Sequence, residues 1–258
     1  MVTGGSIDAT WIIGSLFFLV SYNLLMYGIN DVFDYESDIR NPRKGGIEGM
    51  REQRAFHPTI VKASIICSLP FAGYLFTVSD GVARATLAYV LFMVLAYSVA
   101  HLRFKERPFL DSITSSTHFV GPLLFALALN GFPPAAWPYV IAFFLWGIAS
   151  HAFGAVQDIV PDRKGGISSI ATVWGSAFTV RFAIALYGIA AVLCSMQGAA
   201  GLLVGLCSLL YIANILPFWS CTDSSSAKTN VGWKRFIFLN FFMGFVITVV
   251  LIITKINQ

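Results

Sequence analysis

The chain has 258 residues, of which 57% are apolar and only 12% charged, against roughly 25% charged residues in soluble domains. No soluble fold of this length hides so much apolar surface, so lipid must solvate much of it. The net charge of +4 is small and scattered through short loops between apolar runs, which excludes a nucleic-acid-binding face and reads instead as a membrane-topology signal.

About 20 apolar residues cross a bilayer core as a helix. Eight runs qualify, at 10–33, 60–79, 82–101, 113–131, 136–157, 174–196, 199–219 and 235–254, predicting an all-α, multi-pass transmembrane bundle that forms one membrane domain over residues 1–258. The first run has no Lys or Arg ahead of it and no small-residue cleavage site behind it, so it is not a signal peptide. It runs directly into Asn30-Asp31-Val32-Phe33-Asp34-Tyr35-Glu36-Ser37-Asp38. Positions 30, 34 and 38 stand one helical turn apart and share a face, with Asp31 beside it. Carboxylates on one stripe repel each other, and desolvation near a membrane sharpens the repulsion. A hard divalent ion compensates them, and Mg²⁺ takes oxygen ligands while sharing its shell with substrate phosphates.

The second and third runs meet at the tight turn Ser79-Asp80-Gly81 and are therefore antiparallel neighbours. After the third comes a basic segment, Tyr97 to Ser112, in which Arg103, Lys105 and Arg107 either neutralise a departing anion or simply anchor the loop. The fifth run ends in Gln157-Asp158-Ile159-Val160-Pro161-Asp162-Arg163-Lys164, where Asp158 and Asp162 again stand four apart. Pro161 predicts a helix that frays there, with the acid pair on a bent terminus or loop. Each acidic motif is followed by the same five residues, Arg43-Lys44-Gly45-Gly46-Ile47 and Arg163-Lys164-Gly165-Gly166-Ile167. The echo suggests two pseudo-repeated halves around a central cavity. Acids that hold metal, cations that meet phosphate oxygens and glycines that let backbone approach a phosphate together describe a diphosphate site.

Of the 17 Lys and Arg residues, all but Arg84 and Lys255 lie in or beside the loops after the first, third, fifth and seventh runs, which places the motif-bearing loops on the cytoplasmic side of a cell membrane. Cys67, Cys194, Cys207 and Cys221 form no CxxC pair and read as small buried hydrophobes, with no disulfide and no zinc. His57, His101, His118 and His151 read as structural. The 23 phenylalanines serve lipid-facing packing by default, and a minority can line a hydrocarbon pocket where ring faces stabilise a carbocation.

The pattern at 30–38, the pair at 158 and 162 and the many-helix apolar context resemble the UbiA superfamily of intramembrane prenyltransferases over nearly the whole chain. Met26-Tyr27-Gly28-Ile29 ahead of the first motif, Asn41-Pro42-Arg43-Lys44-Gly45-Gly46 after it, Arg103 to Ser112 and Gly154-Ala155-Val156-Gln157-Asp158 are similar to the lycopene elongase branch. The resemblance implies Mg²⁺ held by Asn30, Asp31, Asp34, Asp38, Asp158 and Asp162 on the diphosphate of an allylic donor, with Asp34, Asp38, Asp158 and Asp162 catalytic. It also implies Arg43, Lys44, Arg103, Lys105 and Lys164 on the leaving diphosphate, Tyr97 in support, and a lipophilic acceptor, lycopene, within the bilayer. The family has nine helices with the first acidic motif after the second, so the first helix is expected to be absent here. Family members often carry a further acid inside the second motif, where this chain has Ile159-Val160-Pro161. An aromatic acceptor, a transporter and a non-catalytic subunit stand as alternatives, and oligomeric state is open.

Overall fold

A computed structural model describes residues 7–39 and 53–256, apart from the side chain of Ser37. Arg43 and Lys44, two of the expected diphosphate ligands, lie outside the described residues. Among the described residues every regular element is helical, with no β-strand. The chain forms two compact units.

The first unit opens with α1 (Ala9–Leu16), capped by the Asp8 carboxylate, which accepts from the Trp11 amide at 2.8 Å. A single π-helical turn, Phe17–Ser21, joins it to α2 (Tyr22–Asp38) in one continuous apolar run that ends in the acidic motif. A π turn loosens the regular hydrogen-bond ladder. Asn23 meets that need, its amide donating to the Phe18 and Leu19 carbonyls at 2.9 and 3.1 Å. Next come α3 (His57–Val78) and α4 (Gly81–Ser98), joined by the expected tight turn, in which Asp80 caps α4 through the Ala83 amide at 2.8 Å.

Small residues let α2 and α3 approach closely. A Cβ at Gly28 would lie 2.6 Å from Ser64 Oγ, while Ser64 and Ser68 donate to the Leu24 and Ser21 carbonyls, each at 3.1 Å. In lipid, where apolar burial between helices gains little, such close backbone approach and interhelical hydrogen bonds hold the helices together. Phe17, Tyr22, Leu25 and Ile29 fill the core against Leu75, Leu87, Val90 and Phe125.

The second unit contains α6 (Trp137–Val156), α7 (Ile159–Gly165), α8 (Ile170–Trp174), α9 (Ser176–Ser195), α10 (Gly198–Ile215) and α11 (Asn230–Ile256). The helix before them, α5 (Leu110–Ala128), is shared: it belongs to this unit through Val120 and to the first from Gly121 onward. The α5–α6 contact runs antiparallel, Ser112 meeting His151, Ser116 meeting Gly147 and Phe119 meeting Trp146. Ser116 also donates to the Phe144 carbonyl at 2.6 Å.

Seven helical stretches among the described residues are long and apolar enough to cross a bilayer. The predicted run at 113–131 is a helix too, α5, but it falls short of that standard for a definite reason. Asp111, Ser112, Thr114, Ser115, Ser116, Thr117 and His118 occupy its N-terminal half, and all are buried. Elsewhere apolar side chains point outward freely, as Phe238, Phe241 and Phe245 do on α11 at 74, 76 and 68% exposure. A lipid-facing surface explains them, and the protein is a membrane protein. Of the four cysteines only Cys194 is buried, and Cys67 is exposed on α3, so the expectation of four buried thiols is corrected: burial follows helix face rather than apolar context.

Candidate active site

In the first unit the last two turns of α2 carry Asn30, Asp31, Asp34 and Asp38. The first three are partly buried and Asp38 is 6% exposed. Packing against α4 supplies a partner that the sequence did not announce. Ser98, in the last residue of α4 and 1% exposed, donates its hydroxyl to Asn30 Oδ1 at 2.9 Å. Tyr97 precedes it and is half-buried. The hydrogen bond fixes the rotation of the Asn30 amide group.

Arg103 reaches the same helix end. Its guanidinium Nη2 stands 3.8 Å from Asp34 Oδ1, and Nη1 donates to the Phe33 carbonyl at 3.4 Å. The backbone is strained to achieve this, with φ at +38° for Arg103 and +74° for His101 in the same loop. Such left-handed conformations are costly for residues with a Cβ and gather at functional sites. Two further residues of the motif, Tyr35 and Glu36, have a holding role. Glu36 pairs with Arg54, whose guanidinium also sits 5.3 Å from the centre of the Tyr35 ring, and Tyr35 meets His57 edge to face at 4.9 Å. The acid-bearing helix end is thereby tied to the start of α3.

In the second unit, α6 ends at Val156 and a new short helix begins at Ile159. The break falls before Pro161 rather than at it. Pro161 occupies the first turn of α7, where a missing N–H leaves no intrahelical bond unmade. Asp158 is the N-cap residue of α7 and Asp162 lies one turn on, its amide bonded to the Asp158 carbonyl at 2.9 Å; both side chains are half-buried. Gly166, at φ +72°, closes α7 with the left-handed turn that glycine adopts without strain. Gln157, 6% exposed, fixes the approach to Asp158: its Oε1 accepts from Asn230 at 2.6 Å and its amide donates to the Gly154 carbonyl at 3.0 Å.

The two basic residues of the repeated segment separate in role. Arg163 donates to Asp223 at 2.7 Å and to the Thr172 carbonyl at 2.8 Å. Asp223 in turn accepts from the Ser176 amide at 2.8 Å and caps α9. Lys164 is exposed in the last turn of α7. Lys105 lies half-buried in a single 3₁₀ turn, Phe104–Glu106.

A further acid went unassigned in the sequence reading. Asp111 is fully buried at the start of α5, accepting from the Ser112 amide at 2.7 Å and from the Ile170 amide, at the head of α8, at 2.8 Å. The Ser112 hydroxyl lies 3.1 Å from His151 Nδ1. Only the position of Asp111 one residue into a helix hinted at capping, and nothing in the sequence pointed to Ile170.

Among the described residues no three acids, histidines or cysteines converge into a preformed metal cage. Each unit by itself carries hard oxygen donors of the kind Mg²⁺ takes: in the first, Asn30, Asp31, Asp34 and Asp38 along the end of α2; in the second, Asp158 and Asp162 at the start of α7. Mg²⁺ is reluctant to shed water and commonly binds through one or two carboxylates plus substrate phosphates, so neither group of acids has to form a closed cage by itself.

Residues 1–250 match the model of the UbiA prenyltransferase family. A lycopene elongase/hydratase of Corynebacterium glutamicum is 46% identical, over 98% of this chain and 88% of that protein. A C(50) beta-cyclic carotenoids biosynthesis protein of Dietzia sp. is also 46% identical, over 96% of this chain and 58% of its own length. Among solved structures, a UbiA homolog from Archaeoglobus fulgidus bound to DMAPP and Mg²⁺ shares the fold with a TM-score of 0.67 and 18% identity, over 96% of this chain and 90% of that one.

Proposed function

Because the chain belongs to the UbiA prenyltransferase family, we propose that this enzyme transfers a dimethylallyl group from its diphosphate to lycopene, in C45 and C50 carotenoid synthesis. The observation that carries the site is the ordered end of α2, where Asn30 is held by Ser98 and Asp34 stands beside Arg103. The choice of acceptor is supported by the relatives that are named for lycopene elongation and C50 carotenoids.

Asn30, Asp31, Asp34, Asp38, Asp158 and Asp162 would hold Mg²⁺ on the donor. Bound there, Mg²⁺ neutralises the diphosphate and makes it a better leaving group. Arg103, Lys105 and Lys164, with Arg43 and Lys44, stabilise the charge that grows on the diphosphate as the allylic C–O bond breaks. Arg103 also lowers the mutual repulsion of the α2 acids before a donor arrives. Tyr97 supports the helix end beside Ser98. The allylic cation forms among apolar walls that exclude water, and the terminal double bond of lycopene attacks it. The resulting tertiary cation then loses a proton or takes up water. The motif-bearing loops face the cytoplasm, where soluble allylic diphosphates are made.

Incubating membranes that contain the protein with Mg²⁺, dimethylallyl diphosphate and lycopene tests the proposal by product mass. Gain of one or two five-carbon units is expected. No gain with lycopene, alongside turnover of an aromatic acceptor, moves the chain to the aromatic branch of its family.

A further inference from the structure

We infer that Asp111 is a positioning residue for the donor diphosphate. Together with Phe109 it clasps α8, and so fixes α7, which carries Asp162 and Lys164, against the segment that carries Lys105. The inference deepens the prenyl-transfer reading and rests on its assignment of those residues to the diphosphate. Every group in it belongs to the second unit.

The need for a clasp follows from the length of α7. It has seven residues, and helices shorter than about 12–15 residues are marginal without tertiary support. At its C-terminal end the Gly166 and Ile167 amides turn back onto the Arg163 and Asp162 carbonyls, which is local closure only. Arg163 links it outward, to Asp223 and, through Nε at 2.8 Å, to the Thr172 carbonyl of α8. The place of α8 therefore bears on the place of α7. Yet α8 is itself only five residues long, and it too has to be held.

The lead-in to α5 holds it at both ends. At the head, Asp111 is fully buried and accepts from the Ile170 amide at 2.8 Å. Its other oxygen accepts from the Ser112 amide at 2.7 Å, so the carboxylate is fixed to its own helix while it holds another. At the tail, the Phe109 ring meets Trp174 edge to face, with centroids 5.8 Å apart. Phe109 adopts φ +68°, a conformation costly for a residue with a Cβ, and this strained turn delivers the ring to α8. The Asp111 amide donates to the Arg107 carbonyl at 2.9 Å, which joins the clasp to the basic segment directly ahead of it. A neutral serine or asparagine caps a helix start without the cost of burying a charge. What the carboxylate adds is a second acceptor, and here the two oxygens serve amides of two separate helices.

Three variants separate positioning from stability. Asp111→Ala cuts both bonds, and Asp111→Asn keeps the size and one accepting oxygen. Phe109→Gly removes the ring while relieving the left-handed strain, so its two effects on stability oppose each other. Gly147→Ala, outside the clasp, serves as the destabilised control. The assay is Mg²⁺-dependent retention of labelled dimethylallyl diphosphate by the full chain in lipid, alongside KM for donor and for lycopene and the thermal midpoint. Losing one charge-assisted contact to the diphosphate corresponds to about 10- to 100-fold in affinity. Donor affinity is expected to fall by about that factor in Asp111→Ala and Phe109→Gly, and by less in Asp111→Asn, with KM for lycopene unchanged. Gly147→Ala is expected to keep wild-type donor affinity despite its lower midpoint. Wild-type donor affinity in both Asp111→Asn and Phe109→Gly overturns the inference, and those two decide it where Asp111→Ala does not fold. Equal weakening in Gly147→Ala, or KM for donor and lycopene rising together, marks a general loss of structure and overturns it as well. A wild-type protein that retains no donor refutes the parent reading and this inference with it. One that retains donor yet prenylates no lycopene refutes only the acceptor, and donor retention in the variants still decides.

Discussion

Removing the Ser98 hydroxyl tests whether the α2 site depends on its packing partners. Ser98 is 1% exposed and its single described contact in the site is the 2.9 Å hydrogen bond to Asn30 Oδ1. Ser98→Ala deletes one oxygen, a volume too small to reshape the α2–α4 contact, and leaves all acids in place. A buried neutral hydrogen bond contributes a net of about 0.5–1.5 kcal/mol. If that energy holds Asn30 in its ligating rotamer, losing it weakens Mg²⁺ binding by about 2- to 13-fold. The assay is a Mg²⁺ titration of prenyl transfer in purified, lipid-reconstituted protein, read as the apparent half-saturating Mg²⁺ concentration, with kcat at saturating metal nearly preserved. Asn30→Ala should cost more, since it removes the ligand as well. In that background Ser98→Ala should add nothing, because the two residues act as one unit. Additive effects, or an unchanged Mg²⁺ dependence in Ser98→Ala, would refute the idea that Ser98 orients a metal ligand.

Asp34→Asn and Asp158→Asn should each leave the protein folded in detergent and lower product formation by about 100-fold or more; product at wild-type rate from either would end the metal–diphosphate model. Asp111→Ala strips acceptors from two buried amides, and a loss on the order of 3 kcal/mol should appear as a large drop in thermal midpoint, with Asp111→Asn losing less because one oxygen remains. Asp223→Ala removes the cap of α9 and the partner of Arg163, and about 1–2 kcal/mol of stability should be lost without change in activity per folded molecule. Gly147→Ala drives a Cβ to 2.9 Å from that of Ser116, which should destabilise by about 1–3 kcal/mol in thermal unfolding, and Ser116→Gly should restore much of it.

The helices were legible because hydropathy alone decides what lipid can solvate, and the acid spacing was legible because 3.6 residues per turn puts 30, 34 and 38 on one face. Contacts between helices were not. Ser98 stands 68 positions from Asn30 and Asp223 stands 60 from Arg163, and nothing local in either stretch announces the partner. The repeated Arg-Lys pair shows the limit most plainly. Arg163 and Lys164 are adjacent and similar in charge, yet Arg163 is taken up by Asp223 and Thr172 while Lys164 stays exposed. Arginine's planar fork satisfies two acceptors at once, and lysine's single ammonium does not. The break at Asp158 was half legible: Pro161 marked a disruption, but its tolerance inside a first turn shifted the boundary upstream.

The polar half of α5 raises a question of cost that bears on function. Seven consecutive-range positions from Asp111 to His118 bury polar side chains in a protein whose other long helices are apolar. An unsatisfied hydroxyl in an apolar interior costs about 1–3 kcal/mol, so a chain selected only to cross a bilayer would replace such groups with Leu or Ala. Here several are satisfied through specific partners: Ser116 on the Phe144 carbonyl, Thr117 on the Ile113 carbonyl, Ser112 on His151 and Asp111 on two amides. Thr114 Oγ1 is buried with no hydrogen-bond partner. Backbone carbonyls already bonded within a helix gain little from a second donor, so stability alone does not account for the set. The same polar half keeps α5 below the hydropathy of a lipid-crossing helix.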